Sequence, residues 1–595
     1  MSVANARVCN RHSCFPEKEK WGVQRGVSPS ASLSPPAAGG MNPFQTKLNR
    51  ALVLCRMSMM ELGGTRIYSH AKLDGRLFSR MNIFRTKSVE QSIRDTEEPE
   101  HSLRKTLGPI DLIVFGIGVI IGTGIFVLTG TAAANYAGPG IAISFMIAGV
   151  ACGLAALCYA EFASSVPVAG SAYTYSYAAL GEFIAWIIGW DLILEFLVGA
   201  STVSVGWSEY FTTILRSLGI MVPGTLTGKA ALIPVLPGLH LNLPAAAIAL
   251  ILTCVLVIGV RTSSRFNLAV TIIKLCVVTF FIVFGVFFVH PLNWTPFIPP
   301  AQSIAGKGGL ASPFLQLILG FPPQAYGLGG LVTGAAIVFF AYIGFDIVAT
   351  TAEETKKPQR DMPIGILGSL VVCTVLYIVV SLILTGIVSY KTLKQLNTAA
   401  PMATAFEVIG KPWAAGLVSV GAICGLTAVI MILMMGQSRV FFAMSRDHLL
   451  PPWFARVHPN FGTPYRISII TGAIVAIIAA FTPISDLAEL VNIGTLLAFV
   501  LVSIGVLVLR RTQPNIHRSF RTPGVPVVPI LAALVCLGLM LYLPLITWIR
   551  FVVWLAIGVA VYFLYSMHHS RLANKEIKEI GKDAVLEDST AAGSD

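Results

Sequence analysis

Charged residues are scarce in this 595-residue sequence, where Asp, Glu, Lys and Arg make up 12% of the chain and hydrophobic residues 55%. An average soluble protein carries about 25% charged residues. Apolar runs of about 20 residues, each long enough to cross about 30 Å of hydrocarbon, recur along the chain. The composition therefore predicts an all-α, polytopic membrane protein.

Motifs that would signal a chemical activity are also missing. None of the ten cysteines forms a CxxC pair, so the sequence implies neither a disulfide framework nor a zinc site. The ten histidines fall in tails, loops or the ends of predicted spans, which leaves no intramembrane pair for a haem, a metal or a protease base. No Walker-type phosphate loop occurs, which argues against an ATP-driven pump. We predict that the protein is not an enzyme and that it binds no metal or organic cofactor.

The first 80 residues differ from the rest, because they hold twelve Lys or Arg residues and only four acidic residues. They contribute +8 of the formal net charge of +13, so the basic balance does not indicate a nucleic-acid partner. We predict that this extension is disordered, and we hypothesise that translation of the native protein starts at Met81. A transit peptide is the competing explanation, since the segment is basic and poor in acids.

Twelve membrane spans are predicted, separated by polar residues, Pro and Gly. With the N-terminus in the cytoplasm, the inner segments carry 22 Lys or Arg residues and the outer loops seven, which also makes the C-terminus cytoplasmic. The predicted spans are 111–134, 140–163, 182–214, 243–260, 265–289, 331–353, 363–388, 403–436, 466–482, 487–509, 527–545 and 548–567. The predicted divisions are an extension (1–80), a cytoplasmic segment (81–110), a first five-helix repeat (111–289), an extracellular loop (290–330), a second repeat (331–509), helices 11 and 12 (510–567) and a cytoplasmic tail (568–595).

Glycine interrupts two predicted spans at corresponding positions. Residues 116–126 of the first span read GIGVIIGTGIF, and residues 339–354 of the sixth span contain Gly344 and an acid. A lipid-facing helix has no need of glycine at its centre, whereas a helix that breaks there presents free backbone groups to a ligand. The alternative is a packing face of small residues. Interruptions five spans apart favour an inverted repeat with a binding site at mid-depth.

Ionisable residues inside predicted spans mark further candidate positions. Lys274 lies nine residues beyond Arg265, which is roughly 13 Å along a helix and close to the bilayer centre. It must face the protein interior, where burial favours the neutral amine and makes the side chain a reversible proton carrier; a permanent ion pair is the alternative. Asp191, Glu195 and Asp346 are candidates for attracting a substrate ammonium or relaying protons, or for tuning an aqueous vestibule.

Several stretches of the sequence resemble the cationic amino acid transporter branch of the amino acid–polyamine–organocation superfamily, most closely its bacterial members. The stretches are residues 116–126, 157–163, 167–175, 189–195, 339–354, 358–365, 437–439 and 445–447. The resemblance spans about residues 81–569. It implies a five-plus-five inverted repeat with broken helices 1 and 6 and two added C-terminal helices. It also implies import of L-amino acids across the plasma membrane by alternating access.

The resemblance further implies roles for individual residues. The backbone N–H groups expected to bind the substrate carboxylate are those of Gly122, Thr123 and Gly124. The carbonyl groups expected to accept from the α-ammonium are those near Ile120 and those of Phe339, Ala341 or Tyr342. Lys274 matches a lysine that replaces a sodium ion in sodium-independent members, so the expected coupling ion is the proton.

The identity of the substrate stays open at the level of sequence. Asp346 with Glu195 would hold the second positive charge of arginine or lysine, whereas bacterial relatives often carry small neutral amino acids. We predict a broad L-amino acid permease. A transporter or exchanger specific for cationic amino acids and a non-transporting sensor are the alternatives. The expected partners are the substrate and the lipid bilayer, with a monomeric protein and, optionally, a small accessory membrane subunit.

Overall fold

The computed structural model describes residues 85–87, 105–166, 168, 171–233, 236–259, 264–303, 309–320, 324–398, 400–458 and 463–574. The predicted basic extension, the hypothetical start at Met81 and most of the predicted cytoplasmic tail lie outside the described residues. The described part is predominantly helical, as the composition predicts.

Nineteen α-helices and four short strands can be assigned within the described ranges. The helices are α1 Pro109–Ile120, α2 Thr129–Ala132, α3 Ile141–Ser165, α4 Ser171–Ala179, α5 Glu182–Ser217, α6 Leu243–Ile258, α7 Ser264–Gly285, α8 Phe314–Leu319, α9 Gly327–Val338, α10 Phe345–Ala349, α11 Pro358–Ile387, α12 Tyr390–Leu396, α13 Pro401–Val408, α14 Pro412–Arg446, α15 Tyr465–Phe481, α16 Ile484–Thr512, α17 Val527–Leu541, α18 Leu545–Val561 and α19 Met567–His569. The strands form two antiparallel pairs, β1 Thr227–Ile233 with β2 Leu236–Asn242 and β3 Gln302–Ser303 with β4 Gln324–Ala325.

Short turns of 3-10 or π geometry join or extend these helices. The π turns are Gly124–Leu128, Ala133–Ala137 and Tyr562–Ser566. The 3-10 turns are Gly138–Gly140, Gly224–Leu226, Val286–Phe288, Pro291–Trp294, Gly309–Ala311, Phe339–Tyr342, Ala352–Glu354 and Pro452–Ala455.

Eight continuous helical stretches of the described chain are long and apolar enough to cross a membrane. They are Gly124–Ser165, Glu182–Ser217, Leu268–Phe288, Gly327–Ala349, Pro358–Ile387, Pro412–Arg446, Ile484–Thr512 and Leu545–Asn574. Four further apolar helices, α1, α6, α15 and α17, coincide with predicted spans but contain only 12 to 17 residues. A perpendicular crossing needs about 20 residues, so the number of twelve crossings stays a prediction.

Large apolar side chains are exposed on the outer faces of the helices. Ile251, Val371, Leu534 and Val553 are each more than half exposed, although they lie in the middle of apolar helices. A soluble monomer rarely exposes apolar surface on this scale. These faces are therefore the lipid-facing surface of a multi-pass membrane protein.

Proline sets the start of several helices. α1, α11, α13 and α14 each begin with proline at the first helical position, where the missing N–H group costs no hydrogen bond. The predicted span 403–436 is wrong in its bounds for this reason. The chain ends α13 at Val408, turns at Gly410 with φ +72°, and begins α14 at Pro412, which continues to Arg446.

The long helices pack in pairs drawn from the two halves of the chain. α3 lies against α11, α5 against α14 and α6 against α15. α1 packs against both α7 and α11, and α10 packs against α1 and α11. The segments on either side of the glycine interruptions therefore lie inside the helical assembly rather than at its lipid-facing surface.

Candidate functional site

The first glycine stretch interrupts its helix. α1 ends at Ile120, Ile121 adopts an extended conformation (φ −71°, ψ 94°), and helical structure resumes at Gly124 as a π turn. A Cβ atom at Gly124 would collide with the backbone of Ala341. Glycine at this position therefore allows the first interruption to lie directly against the second.

The second interruption follows α9. One 3-10 turn, Phe339–Tyr342, leads into extended Ile343 and then Gly344, whose φ of +123° is disfavoured for residues with a side chain. A Cβ atom at Gly344 would lie 2.6 Å from the Val119 side chain, so close approach as well as conformation favours glycine. Helical structure resumes at Phe345.

A small cavity lies between the two interruptions. The lining consists of Val119, Ile120, Gly122, Thr123 and Gly124 from the first interruption, Phe340 and Ile343 from the second, Gly199 and Val203 from α5, and Val429 and Leu433 from α14. None of these described lining residues is charged, so the cavity is apolar apart from its backbone groups and the Thr123 hydroxyl.

The sequence-predicted site residues are divided between the cavity and its surroundings. Those that line the cavity are Ile120, Gly122, Thr123 and Gly124. Those in the adjoining 3-10 turn are Phe339, Ala341 and Tyr342, of which Ala341 lies against Gly124. Phe340 of the same turn lines the cavity although sequence reasoning did not single it out. Glu195 and Asp346 are buried outside the lining.

Thr123, one of the lining residues, carries a buried polar group. Its side chain is buried, and its hydroxyl oxygen has no hydrogen-bond partner among the described residues. Buried polar groups normally have a partner in the protein or in a ligand or water. The Thr123 hydroxyl is thus available to a polar group bound beside the first interruption.

Lys274 caps the end of α1. Its side chain is fully buried, and its ammonium donates hydrogen bonds to the carbonyl oxygens of Gly118 and Ile121, the latter at 3.2 Å. The last carbonyl groups of a helix lack intrahelical partners and form the negative end of its dipole. Lys274 therefore satisfies carbonyl groups immediately before the first interruption and, when protonated, counters the negative end of the dipole there.

Three carboxyl groups lie buried near the second interruption. Asp346 accepts a hydrogen bond from the Gly344 N–H group at 3.1 Å, which connects it directly to the interruption. Its other oxygen and both oxygens of Asp191 have no hydrogen-bond partner within the described chain, and Glu195 lies beside Thr495. The described His, Cys, Asp and Glu residues form no group suited to holding a metal ion.

Sequence reasoning missed two polar side chains that contact backbone carbonyls at the interruptions. The Tyr377 hydroxyl lies within hydrogen-bond distance of the Ile120 and Ala341 carbonyl oxygens. The Asn492 amide donates to the carbonyls of Ala336 and Ile337, at the end of α9. For Tyr377 the available signal was an aromatic hydroxyl within the apolar part of α11, whereas Asn492 follows Asp486 and Glu489 in α16 and gave no such signal.

Ion pairs connect helix ends on the side of the molecule predicted to be cytoplasmic. Lys87 forms a buried salt bridge with Asp447 at 3.1 Å, and the Tyr173 hydroxyl donates to the same carboxylate at 2.8 Å. Arg439 pairs with Glu354 at 3.1 Å, where both side chains are about 30% exposed. The pairs tie α4, α14 and the turn after α10 together at this end.

A lipid-facing helical protein with a small central cavity between two interrupted helices has the organisation of a membrane transporter rather than an enzyme. The chain belongs to the amino acid permease family, whose model matches residues 107–567. This match confirms the predicted resemblance to amino acid transporters.

Individual relatives differ in what their names say they transport. The methylthioribose transporter and the branched-chain amino acid permease BcaP of Bacillus subtilis (strain 168) are each 47% identical over 491 residues, which cover 82% of this chain and 99% of the relative. The vacuolar cationic amino acid transporter 4 of Arabidopsis thaliana is 38% identical over 436 residues, 73% of this chain and 68% of the relative.

Proposed function

We propose that this protein is a proton-coupled secondary transporter that imports L-amino acids across the plasma membrane by alternating access. The observation that carries the proposal is the cavity between the two helix interruptions, where backbone groups are free of helical hydrogen bonding. Membership of the amino acid permease family supports the same class of substrate.

The proposed architecture is twelve spans in two inverted five-helix repeats, followed by two further helices, with both termini in the cytoplasm. In that arrangement α3 and α11, α5 and α14, and α6 and α15 are counterparts in the two repeats, and each pair packs together. The interruptions fall in the first span of each repeat, as in transporters with inverted repeats. The excess of Lys and Arg in the predicted inner segments supports the orientation.

In the proposed binding mode the substrate zwitterion lies across the two interruptions. Its carboxylate binds the N–H groups of Gly122, Thr123 and Gly124, at the positive end of the outer half of the first helix. The unpartnered Thr123 hydroxyl adds a side-chain donor. The α-ammonium binds carbonyl oxygens near Ile120 and in the turn Phe339–Tyr342.

The cavity favours a neutral, aliphatic substrate side chain. Val203, Val429 and Leu433 line it together with the first interruption, and the acidic residues Glu195 and Asp346 lie outside the lining. Burying an apolar side chain against these residues yields about 25 cal/mol per Å². The name of the branched-chain amino acid permease among the relatives agrees with this choice. A transporter specific for arginine or lysine is the alternative, to which the names of the plant relatives point.

Lys274 is the proposed coupling residue. When charged, its ammonium holds the Gly118 and Ile121 carbonyl groups and stabilises the first interruption in its substrate-binding form. Release of the proton to the cytoplasm weakens that cap after the protein has opened inward, and the site resets. The position of Lys274, in contact with the residue that precedes Gly122, supports this link between protonation and binding.

Uptake into proteoliposomes tests the proposal. The purified protein is reconstituted and supplied with labelled leucine, valine, alanine, arginine or methylthioribose, with and without an inwardly directed proton gradient. We expect the gradient to drive accumulation of the neutral amino acids, with little uptake of arginine. Accumulation of methylthioribose alone would refute the proposed substrate class. Equal uptake of leucine with and without the gradient would refute proton coupling. Binding of leucine without any uptake would instead indicate a sensor.

A further inference from the structure

Tyr377 extends from the middle of α11 to both helix interruptions. Its hydroxyl oxygen lies 2.7 Å from the carbonyl oxygen of Ile120 and 2.8 Å from that of Ala341. Ile120 is the last residue of α1, and Ala341 belongs to the 3-10 turn that precedes the second interruption. One side chain from a third helix therefore contacts a carbonyl group beside each interruption.

The packing around the ring fixes the position of this hydroxyl. Tyr377 is fully buried, and its ring centroid lies 5.4 Å from that of Phe145 and 5.3 Å from that of Tyr342. Tyr342 is itself held by a hydrogen bond from its hydroxyl to the Phe145 carbonyl, at 2.7 Å. Since the ring cannot move without disturbing these contacts, the hydroxyl is a fixed point between the two carbonyl oxygens.

The carbonyl oxygens of Ile120 and Ala341 can each accept a further hydrogen bond from a ligand. A tyrosine hydroxyl has one proton, so it donates to one of the two carbonyl oxygens at a time, whereas each carbonyl oxygen accepts two hydrogen bonds. Ile120 also lines the cavity. An ammonium group has several donors and is suited to two carbonyl oxygens held at a fixed, convergent spacing.

We propose that Tyr377 is a positioning residue for the substrate ammonium. Its hydroxyl fixes the spacing between the Ile120 and Ala341 carbonyl oxygens, so that both accept hydrogen bonds from the α-ammonium of an amino acid in the cavity. Tyr377 acts through these carbonyl groups and not by direct contact with the substrate side chain. The inference rests on the proposed function, because it requires that the cavity bind an amino acid.

The test compares two ligands that differ only in the ammonium group. L-leucine and 4-methylpentanoate share a carbon skeleton and a carboxylate, but only leucine has the α-ammonium. Their affinities for the purified protein are measured by competition against labelled leucine. We expect Tyr377→Phe to weaken leucine binding about tenfold, the effect of one hydrogen bond of about 1.4 kcal/mol, and to leave binding of 4-methylpentanoate unchanged.

Tyr326→Phe is the matched control. Tyr326 is also buried, and its hydroxyl donates to the carbonyl of Ala134, at 2.7 Å, in the outer part of the same interrupted helix. Tyr326→Phe loses the same kind of hydrogen bond, but at a position several turns along the chain from either interruption. The ratio of its affinities for leucine and 4-methylpentanoate should therefore equal the wild-type ratio.

Three results would overturn the inference. If Tyr377→Phe weakens binding of leucine and of 4-methylpentanoate equally, Tyr377 has only a structural role. If leucine affinity is unchanged, the hydroxyl does not contribute to substrate binding. A wild-type protein that binds no amino acid would refute the proposed function and this inference with it.

A second variant replaces Tyr377 with 3-fluorotyrosine, which retains the ring and the hydroxyl and so should retain the fold. Because this variant keeps the hydroxyl, its leucine affinity should stay near the wild-type value, and a loss as large as that in Tyr377→Phe counts against the proposal.

Discussion

Single glycines decide how closely the two interrupted helices approach each other. Gly124 lies against the backbone of Ala341, which cannot move aside as the end of a flexible side chain can. Gly153, in α3, has no atom within 4 Å of the position that a Cβ would take. The same chemical change therefore has opposite consequences at these two positions.

Gly124→Ala should lower both thermal stability and transport, because the added methyl group forces the two interruptions apart. Overpacking of this kind costs about 1–3 kcal/mol. Gly153→Ala should be neutral or slightly stabilising, since alanine is favoured over glycine inside a helix by up to about 1 kcal/mol. Thermal unfolding in detergent and initial rates of uptake measure both effects. A Gly124→Ala protein as stable and active as Gly153→Ala would contradict the packing described here.

At the scale of the element, the important unit is the C-terminal end of α1 with the lysine that caps it. The Gly118 and Ile121 carbonyl groups lie in a buried, apolar region, where an unsatisfied polar group is costly. The aliphatic stem of Lys274 packs so closely against Gly425 of α14 that a Cβ there would lie within about 3 Å of it. Charge on Lys274 and the geometry of the first interruption are therefore linked.

Lys274→Met should abolish stimulation of uptake by a proton gradient while it preserves most of the side-chain volume. We expect the gradient-driven rate to fall at least about tenfold, because hydrogen bonds to charged groups contribute about 1.5–3 kcal/mol each. Lys394→Met, which changes an exposed lysine of the short helix α12, is the control and should behave as wild type. Full gradient-driven uptake by the Lys274→Met protein would exclude Lys274 as the coupling residue.

Sequence alone predicted those features of the site that depend on residues unusual for a membrane-spanning helix. Clustered glycines at 116–126 and a lysine inside an apolar span stand out locally, and the structure places both at the first interruption. The contributions of Val203, Val429 and Leu433 to the cavity could not be predicted, because ordinary apolar residues gain this role only through packing between distant helices. The contact of Tyr377 with two carbonyl groups depends on the same long-range packing.

At the scale of the whole molecule, ion pairs at one end hold the helix ends together with unequal strength. The Lys87–Asp447 pair is less than a tenth exposed, whereas Arg439 and Glu354 are about 30% exposed. Removing one partner of a buried pair leaves an uncompensated charge and costs about 3–5 kcal/mol. An exposed pair contributes about 0.2–1 kcal/mol and is screened by salt.

Lys87→Ala should therefore destabilise the protein much more than Arg439→Ala. Thermal unfolding of the two variants at low and high salt measures the difference, and we expect the Arg439→Ala effect to shrink as salt increases. The double variant Lys87→Ala with Asp447→Ala should recover part of the lost stability, since no unpaired charge then stays buried. Equal destabilisation by the two single variants would show that the Lys87 pair is not buried in the membrane-embedded protein.

The central claim is that the cavity between the two interruptions is the substrate site, and leucine binding by Gly122→Leu tests it most directly. A Cβ at Gly122 would make only ordinary contact with Val429, at 3.5 Å, so the variant should fold while its longer side chain fills the cavity. In equilibrium binding of labelled leucine to monodisperse protein, we expect saturable binding by wild type, weakened binding by Gly122→Ala and none by Gly122→Leu. Wild-type affinity in the Gly122→Leu protein would contradict the claim.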